Sequence, residues 1–252
     1  MKTMMADKLT VEIYPNRAEM GAAAARDIKE CFARLLKTKD SINVIFAAAP
    51  SQNDVLKSLR EDTEIEWGRI NAYHMDEYIG LSKDAPQGFG NFLRNALFGR
   101  VGFASVNYID PEAKDIEAEA ERYSALLLEN PTDVVVMGIG ENGHIAFNDP
   151  PVADFNDKRV VKPVELDQVC RQQQVNDGCF ATIDDVPTHA LTLTVPTLMR
   201  APEVFCIVPA PTKAWAVNRT INGEIGEACP ATALRLHGKA KLYLDGDSSS
   251  LL

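Results

Sequence analysis

No run of about 18 apolar residues interrupts this 252-residue chain, so nothing in it reads as a membrane-spanning helix. Its opening, Met1-Lys2-Thr3-Met4-Met5-Ala6-Asp7-Lys8, lacks the continuous apolar segment of a secretory signal. Cysteine is sparse and scattered. Cys31, Cys170, Cys179, Cys206 and Cys229 are odd in number and never form C-x-x-C, which argues against a disulfide framework and against a structural zinc site. A reducing cytoplasm is the economical reading. Positive charge is in the minority: 26 Lys and Arg stand against 36 Asp and Glu, a net charge of −10. A broad nucleic-acid surface would need clustered basic residues. A small anion is still possible, because one nest of backbone N–H groups with one lysine can hold it. Repeats and low-complexity tracts are absent too, apart from Gly246-Asp247-Ser248-Ser249-Ser250, which reads as the start of a frayed tail over 246–252.

What is present is an ordinary globular composition, long enough to bury a substantial core. A 3.6-residue apolar period predicts a helix over Asn16 to Lys37, with Ala24, Ile28, Cys31, Phe32 and Leu35 on one face. Strands are expected at Ile42 to Ala47, Arg69 to Met75, Val106 to Ile109, Asp133 to Gly138, Ala190 to Val195, Glu203 to Val208 and Lys241 to Leu244. Helices are expected from Pro50-Ser51 through Leu59, then at Phe89 to Phe98, Glu112 to Leu128 and Thr212 to Ile221. This alternation predicts an α/β fold, a single domain over 1–252 with an open, mostly parallel sheet and helices on both faces. Ligands in such folds gather beyond the carboxyl ends of the strands.

Three stretches at those ends carry candidate chemistry. The first, Tyr73-His74-Met75-Asp76-Glu77-Tyr78-Ile79-Gly80-Leu81, puts two adjacent acids after an apolar strand. A helix cap or a solvated turn would carry them as well; a general base is the functional alternative. The second is Gly138-Ile139-Gly140-Glu141-Asn142-Gly143-His144-Ile145-Ala146-Phe147-Asn148-Asp149-Pro150-Pro151. Its glycines match G-x-G-x-x-G, but the dinucleotide fingerprint must open a long helix, and the two prolines would break one. The glycines are better suited to close backbone approach or positive φ. Asn142 and Asp149 flank His144 as polar partners would flank an imidazole that passes a proton. The third, Val208-Pro209-Ala210-Pro211-Thr212-Lys213-Ala214-Trp215, sets a lysine in the first turn of a helix. That position opposes the macrodipole unless an anion is bound there, or unless the side chain swings into water.

In this order the three stretches resemble the glucosamine-6-phosphate deaminase/isomerase family, related to 6-phosphogluconolactonase. The resemblance runs from about Thr10 to Asp245, and rests on M-D-E-Y-x-G-L and G-x-G-x-[DN]-G-H-I-[AG]-F-N-[ED]-P, which mark the deaminase branch. It implies a Rossmann-like fold that needs no metal or organic cofactor. It further implies that Asp76 carries a proton between C2 and C1, that His144 opens the pyranose ring with Asn142 and Asp149 as relay partners, and that Lys213 grips the phosphate. Ser51, Gln52 and Gly143 fall in the family's binding loops. The implied partner is a small hexosamine phosphate, with no nucleic acid or membrane, and a homo-oligomer is left open. The chain also departs from the pattern. The Gly- and Thr-rich first loop is here Ala47-Ala48-Ala49-Pro50-Ser51-Gln52-Asn53, and the relay glutamate is Asp149. Arg171 is the nearest candidate for the phosphate arginine, at altered spacing. The chain ends soon after Leu244, without the long extension of allosterically regulated relatives, so non-cooperative kinetics are expected.

The implied reaction suits the residue types. Ring opening moves a proton between the anomeric hydroxyl and the ring oxygen, a task for an imidazole. One carboxylate beside C2 can remove a proton and return it to C1, and ammonia then leaves C2. The most favoured substrate is glucosamine 6-phosphate. Galactosamine 6-phosphate, lactone hydrolysis, nicotinamide redox chemistry and non-catalytic sugar-phosphate sensing are the alternatives.

Overall fold

A computed structural model describing residues 1–252 resolves the chain into two sheets. It opens with a hairpin, β1 (Lys2–Ala6) and β2 (Leu9–Ile13), followed by α1 (Arg17–Leu36), whose first turn is capped by Asn16 on the Glu19 N–H. Next come β3 (Ile42–Phe46), α2 (Asn53–Glu61), β4 (Ile70–His74), β5 (Asp76–Tyr78) and α3 (Phe89–Leu93), which runs on into a π-helical turn, Arg94–Phe98. β6 (Ser105–Asn107), α4 (Ile116–Glu129) and β7 (Val134–Met137) complete the first half. The second half holds β8 (Val161–Glu165), α5 (Gln168–Asn176), β9 (His189–Leu193) and α6 (Val195–Met199). β10 (Glu203–Val208), α7 (Ala214–Asn222) and β11 (Ala240–Leu244) follow.

The large sheet has the order β1-β2-β11-β10-β7-β3-β4-β6, parallel throughout except for the β1–β2 hairpin. Its central strands are apolar on both faces, as a sheet covered on both sides requires. Val44, Phe46, Val134 and Val136 face the core under α1 and α2, while Ile45, Val135 and Met137 face the one under α4 and α7. The chain leaves β3 toward β4 and β6, then returns through β7 to the opposite side of β3. The β3 and β7 loops therefore part at a topological switch point, and a crevice opens between them.

Several expectations need correction. The strand expected at Ala190 to Val195 does not join the parallel sheet: β9 is the middle of a second, antiparallel sheet, β5-β9-β8. Asp76 and Glu77 lie in a short strand rather than a cap or solvated turn. The helix expected from Glu112 begins at Ile116, because Asp115 accepts the Ala118 N–H and caps it there. The β1–β2 hairpin, β8 and α5 are additional elements; Pro163 is tolerated in β8 because that strand is an edge. The tail is not frayed. Ser248 is fully buried and its N–H donates to Asp245 Oδ1 at 2.7 Å, while Asn218 Nδ2 donates to the Leu251 carbonyl at 2.6 Å.

That tail reaches the ligand-binding end of the sheet. The Asp245 carboxylate also accepts the Ala210 N–H (3.1 and 3.3 Å), holding Ala210 at φ 85° immediately before Pro211. Left-handed backbone is costly for alanine. Asp245→Ala would strand two N–H groups and release this turn. We expect it to cost roughly 1–3 kcal/mol in urea unfolding, and to shift the resonances of the Ala210–Ala214 turn in amide NMR.

Candidate active site

One cleft of about 520 Å³, its mouth included, lies at the switch point and is lined by residues of the β3, β4, β7 and β10 loops together with α5. Asp76, His144, Ser51, Gln52 and Lys213 all line it, so residues spread over most of the chain come together here. Phe89 and Phe147 stack at 5.4 Å and form part of its apolar wall.

The two adjacent acids have different environments. Glu77 is buried, and its carboxylate accepts the N–H groups of Tyr78 (3.0 Å), Phe89 (3.0 Å) and Gly90 (2.8 Å), tying β5 to the start of α3. Asp76 is only 6% exposed and receives no hydrogen bond. Burial, and then the neighbouring Glu77 charge, push its carboxyl well above the usual carboxylate range. His74 is also buried, but it is structural: Nε2 accepts the Ile109 N–H at 2.9 Å, and burial lowers the ring to about 4.

The β7 loop links three polar residues. The Asn142 side chain accepts the His144 N–H at 3.0 Å and donates to Asp149 Oδ1 at 2.9 Å. His144 Nδ1 lies 2.9 Å from the same Asp149 oxygen. Burial raises Asp149. The His144 charge, hydrogen bonds from His144 and Asn142, and the Asp167 N–H outweigh it and hold the carboxyl below its ordinary value. Two glycines make room. A Cβ on Gly140 would lie 2.1–2.4 Å from three His144 ring atoms, and Gly143 has φ +85° with Cys229 Sγ 2.5 Å from where its Cβ would be. The loop turns at Pro150 and forms no helix, as the prolines require.

Lys213 closes a short 3-10 turn that leads into α7; it is 5% exposed and forms no ion pair. Burial lowers it, against the opposing charges of Asp177 and Glu141. Gln52 is fully buried and donates to Ser51 Oγ and to the Ile207 carbonyl, both at 3.1 Å. Arg171 is the misplaced expectation. Its guanidinium donates to the Ile183 (2.6 Å) and Val186 (2.9 Å) carbonyls, bracing the segment before β9, and it does not line the cleft. Gln173 and Gln174 of α5 line the cleft instead. Sequence reasoning passed over both, and over Cys170, whose buried thiol lies against Asp149. His144, Asp149 and Cys170 bring their ligand atoms within 4.8 Å of one another, as a metal site would. Burial, followed by the Asp149 charge, keeps that thiol far above its usual value, so it stands beside Asp149 as a neutral neighbour.

Comparison with known proteins finds relatives over nearly the whole chain. The family described as glucosamine-6-phosphate isomerases/6-phosphogluconolactonase matches residues 15–243. Glucosamine-6-phosphate deaminases of Bacillus cytotoxicus and Bacillus cereus are 30% and 32% identical over 243 residues, 96% of this chain and 88–89% of theirs. A solved monomeric glucosamine-6-phosphate deaminase superposes with a TM-score of 0.88 at 28% identity, over 96% of this chain and 99% of that one. The 6-phosphogluconolactonase of Thermotoga maritima shares the fold, with a TM-score of 0.77 at 20% identity over 94% and 99% of the two chains.

Two outcomes follow from the site's packing. Gly140→Ala should displace the His144 ring and lower turnover at least about a hundredfold, with the fold intact by circular dichroism. Asp76→Asn should separate activity from stability. The raised carboxyl makes the native state hold a proton that the unfolded chain has released, so native stability falls as pH rises from about 4 through the folded value. The asparagine variant should therefore have the higher Tm at about pH 8, by a few degrees for each kcal/mol recovered, and the gap should close below about pH 4 in calorimetry.

Proposed function

The chain belongs to the glucosamine-6-phosphate isomerase/6-phosphogluconolactonase family, and from that premise we propose that it deaminates and isomerises a hexosamine 6-phosphate, with glucosamine 6-phosphate to fructose 6-phosphate plus ammonia as the favoured reaction. The observation that carries this reading is Asp76, a buried carboxylate in the cleft that no donor neutralises while Glu77 beside it is fully bonded. Such a group is poor at holding structure together and suited to taking a proton from carbon.

In this mechanism His144 moves a proton from the anomeric hydroxyl to the ring oxygen, and the C1–O ring bond breaks to give the open aldehyde. Asn142 and Asp149 hold the imidazole and balance the charge it gains. Asp76 then removes the C2 proton while O1 takes a proton from the C2 ammonium, giving an enolamine, and Asp76 returns its proton to C1. The resulting C2 iminium takes up water and expels ammonia, leaving the ketose. Lys213 holds the phosphate end, so that binding energy remote from the reacting carbons keeps C2 in register. Lactone hydrolysis, the activity named for the more distant structural relatives, ionises no carbon–hydrogen bond; the proton it moves comes from the attacking water.

Ammonia release from a panel of hexosamine 6-phosphates tests the assignment directly, and a lactone that is hydrolysed while no ammonia appears would replace it. Two further results are expected. Deuterium at C2 should wash out into solvent with the wild type and persist with Asp76→Asn, whose turnover falls at least about a hundredfold. His144→Gln should slow cyclic substrate far more than an open-chain analogue; equal losses would remove the imidazole from ring opening.

A further inference from the structure

The β3 and β10 loops form a part of the cleft whose polar groups are unusual for a receptor of a doubly charged anion. Lys213 is its only lysine or arginine, and Glu141 and Asp177 both act on that ammonium through space. Arg171 is committed to backbone carbonyls elsewhere, and Pro50 has no N–H to give. A dianion brought here would meet a single full positive charge, with only neutral donors for the remainder.

Gln52 supplies an independent constraint. The Ile207 carbonyl can only accept, so the amide nitrogen of the buried Gln52 must face it. Oε1 is thereby fixed on the other side, buried, with no donor anywhere in the chain. A buried acceptor of this kind is completed by a hydrogen from outside the chain, brought by an ordered water or by a ligand. A fully ionised phosphate has none; a singly ionised phosphate monoester and a free hydroxyl each have one. Gln174 adds a second uncharged amide to the lining.

We propose that this end of the cleft selects a substrate terminus bearing a hydrogen-bond donor and no more than one negative charge, with the donor on Gln52 Oε1 beside the Lys213 ammonium. That shared chemistry belongs to a hexosamine 6-phosphate in its monoanionic form and to the same sugar with a free 6-hydroxyl. The inference takes its sugar from the deaminase reading, while its geometry stands without it. The titratable groups around this end are Lys213, Glu141 and Asp177, with Cys170, Asp149, His144 and Asp76 in the rest of the site.

The test follows ammonia release from glucosamine 6-phosphate and from glucosamine between about pH 5.5 and 8.5. The ratio of their kcat/KM values cancels the enzyme's own titrations and leaves that of the phosphate, whose second pKa is about 6. If the monoanion is the ligand, the ratio falls about tenfold per pH unit above about pH 7. If the free hydroxyl is the intended terminus, glucosamine is used within about tenfold of its phosphate at low pH and overtakes it at high pH. A ratio that stays above about a thousand and is flat or rising from about pH 6 to 8 overturns the proposal. Gln52→Leu should flatten the wild-type slope, and Gln174→Arg, by adding a second cation, should raise the ratio at about pH 8 at least about tenfold. A slope unchanged by Gln52→Leu overturns the role of Oε1. Should neither sugar release ammonia, the deaminase reading fails, and calorimetry with inorganic phosphate over the same pH range decides the charge preference. Binding that weakens as pH rises supports the inference; binding that tightens, stays level or is absent overturns it.

Discussion

Asp76 sits in a buried position with no hydrogen bond, next to a second carboxylate, and much of the architecture around it serves to hold it there. Removing an ion from water costs on the order of several kcal/mol even after relaxation, and a nearby donor would ordinarily be recruited. Here the neighbouring Glu77, not Asp76, accepts the N–H groups of Tyr78, Phe89 and Gly90. Glu77 therefore does two things: it fixes β5 against α3, and its charge adds to the burial that raises Asp76. The Asp76 backbone is held from the other side by pairing with Thr192 of β9. A strained acid can persist only where such contacts over-determine its position.

β9 also serves the His144 loop. Thr192 Oγ1 accepts the Phe147 N–H at 3.0 Å, and Asn148 Nδ2 donates to the Leu193 carbonyl at 2.8 Å. One strand thus braces the carboxylate through β5 and the His144 loop through Thr192 and Leu193. This explains why the small antiparallel sheet exists beside a parallel sheet that already closes the core. The parallel sheet brings the loops to one switch point. The second sheet fixes the separation between two of them, the property on which proton transfer depends most steeply.

The sequence was most legible where one physical signal dominated. Buried parallel strands are continuous apolar runs, so β3, β7, β10 and β11 were found within a residue or two, and β10 at its observed bounds. The β7 loop announced itself through glycines followed by prolines. Elements whose signals conflict were missed. Pro163 hides β8, and α5 presents Gln168 to Asn176 with little apolar periodicity. The assignment of Arg171 failed for a related reason. Residues three apart on a helix are neighbours in sequence pattern, yet Arg171 braces the chain before β9 while Gln174 lines the cleft. Only the docking of α5, through the Glu141 N–H on Gln173 Oε1 at 2.8 Å, decides which of them meets the ligand. No local motif encodes that rotation.

The C-terminal residues show the same dependence of chemistry on distant packing. Asp245 ends β11, accepts Ser248 from its own tail, and reaches across to Ala210 at the end of β10. β10 and β11 are paired in parallel, so these two strand ends lie side by side, and the carboxylate bridges them without leaving the sheet. Ala210 must turn left-handed so that Pro211 can start the short helical turn carrying Lys213 inward. An ammonium in the first helical turn is disfavoured by the macrodipole and by burial together, and nothing in the chain pairs with it. Its position is therefore imposed from the backbone side, by Asp245 and the packed tail, and is not earned by any contact of its own. The cleft thus presents an unpartnered acid at one loop and an unpartnered cation at another, each held by carboxylates that are themselves fully bonded. Such a site is unstable in isolation, and in the proposed reaction it is completed by a sugar that brings a carbon acid to the first and an anionic or hydroxylic end to the second.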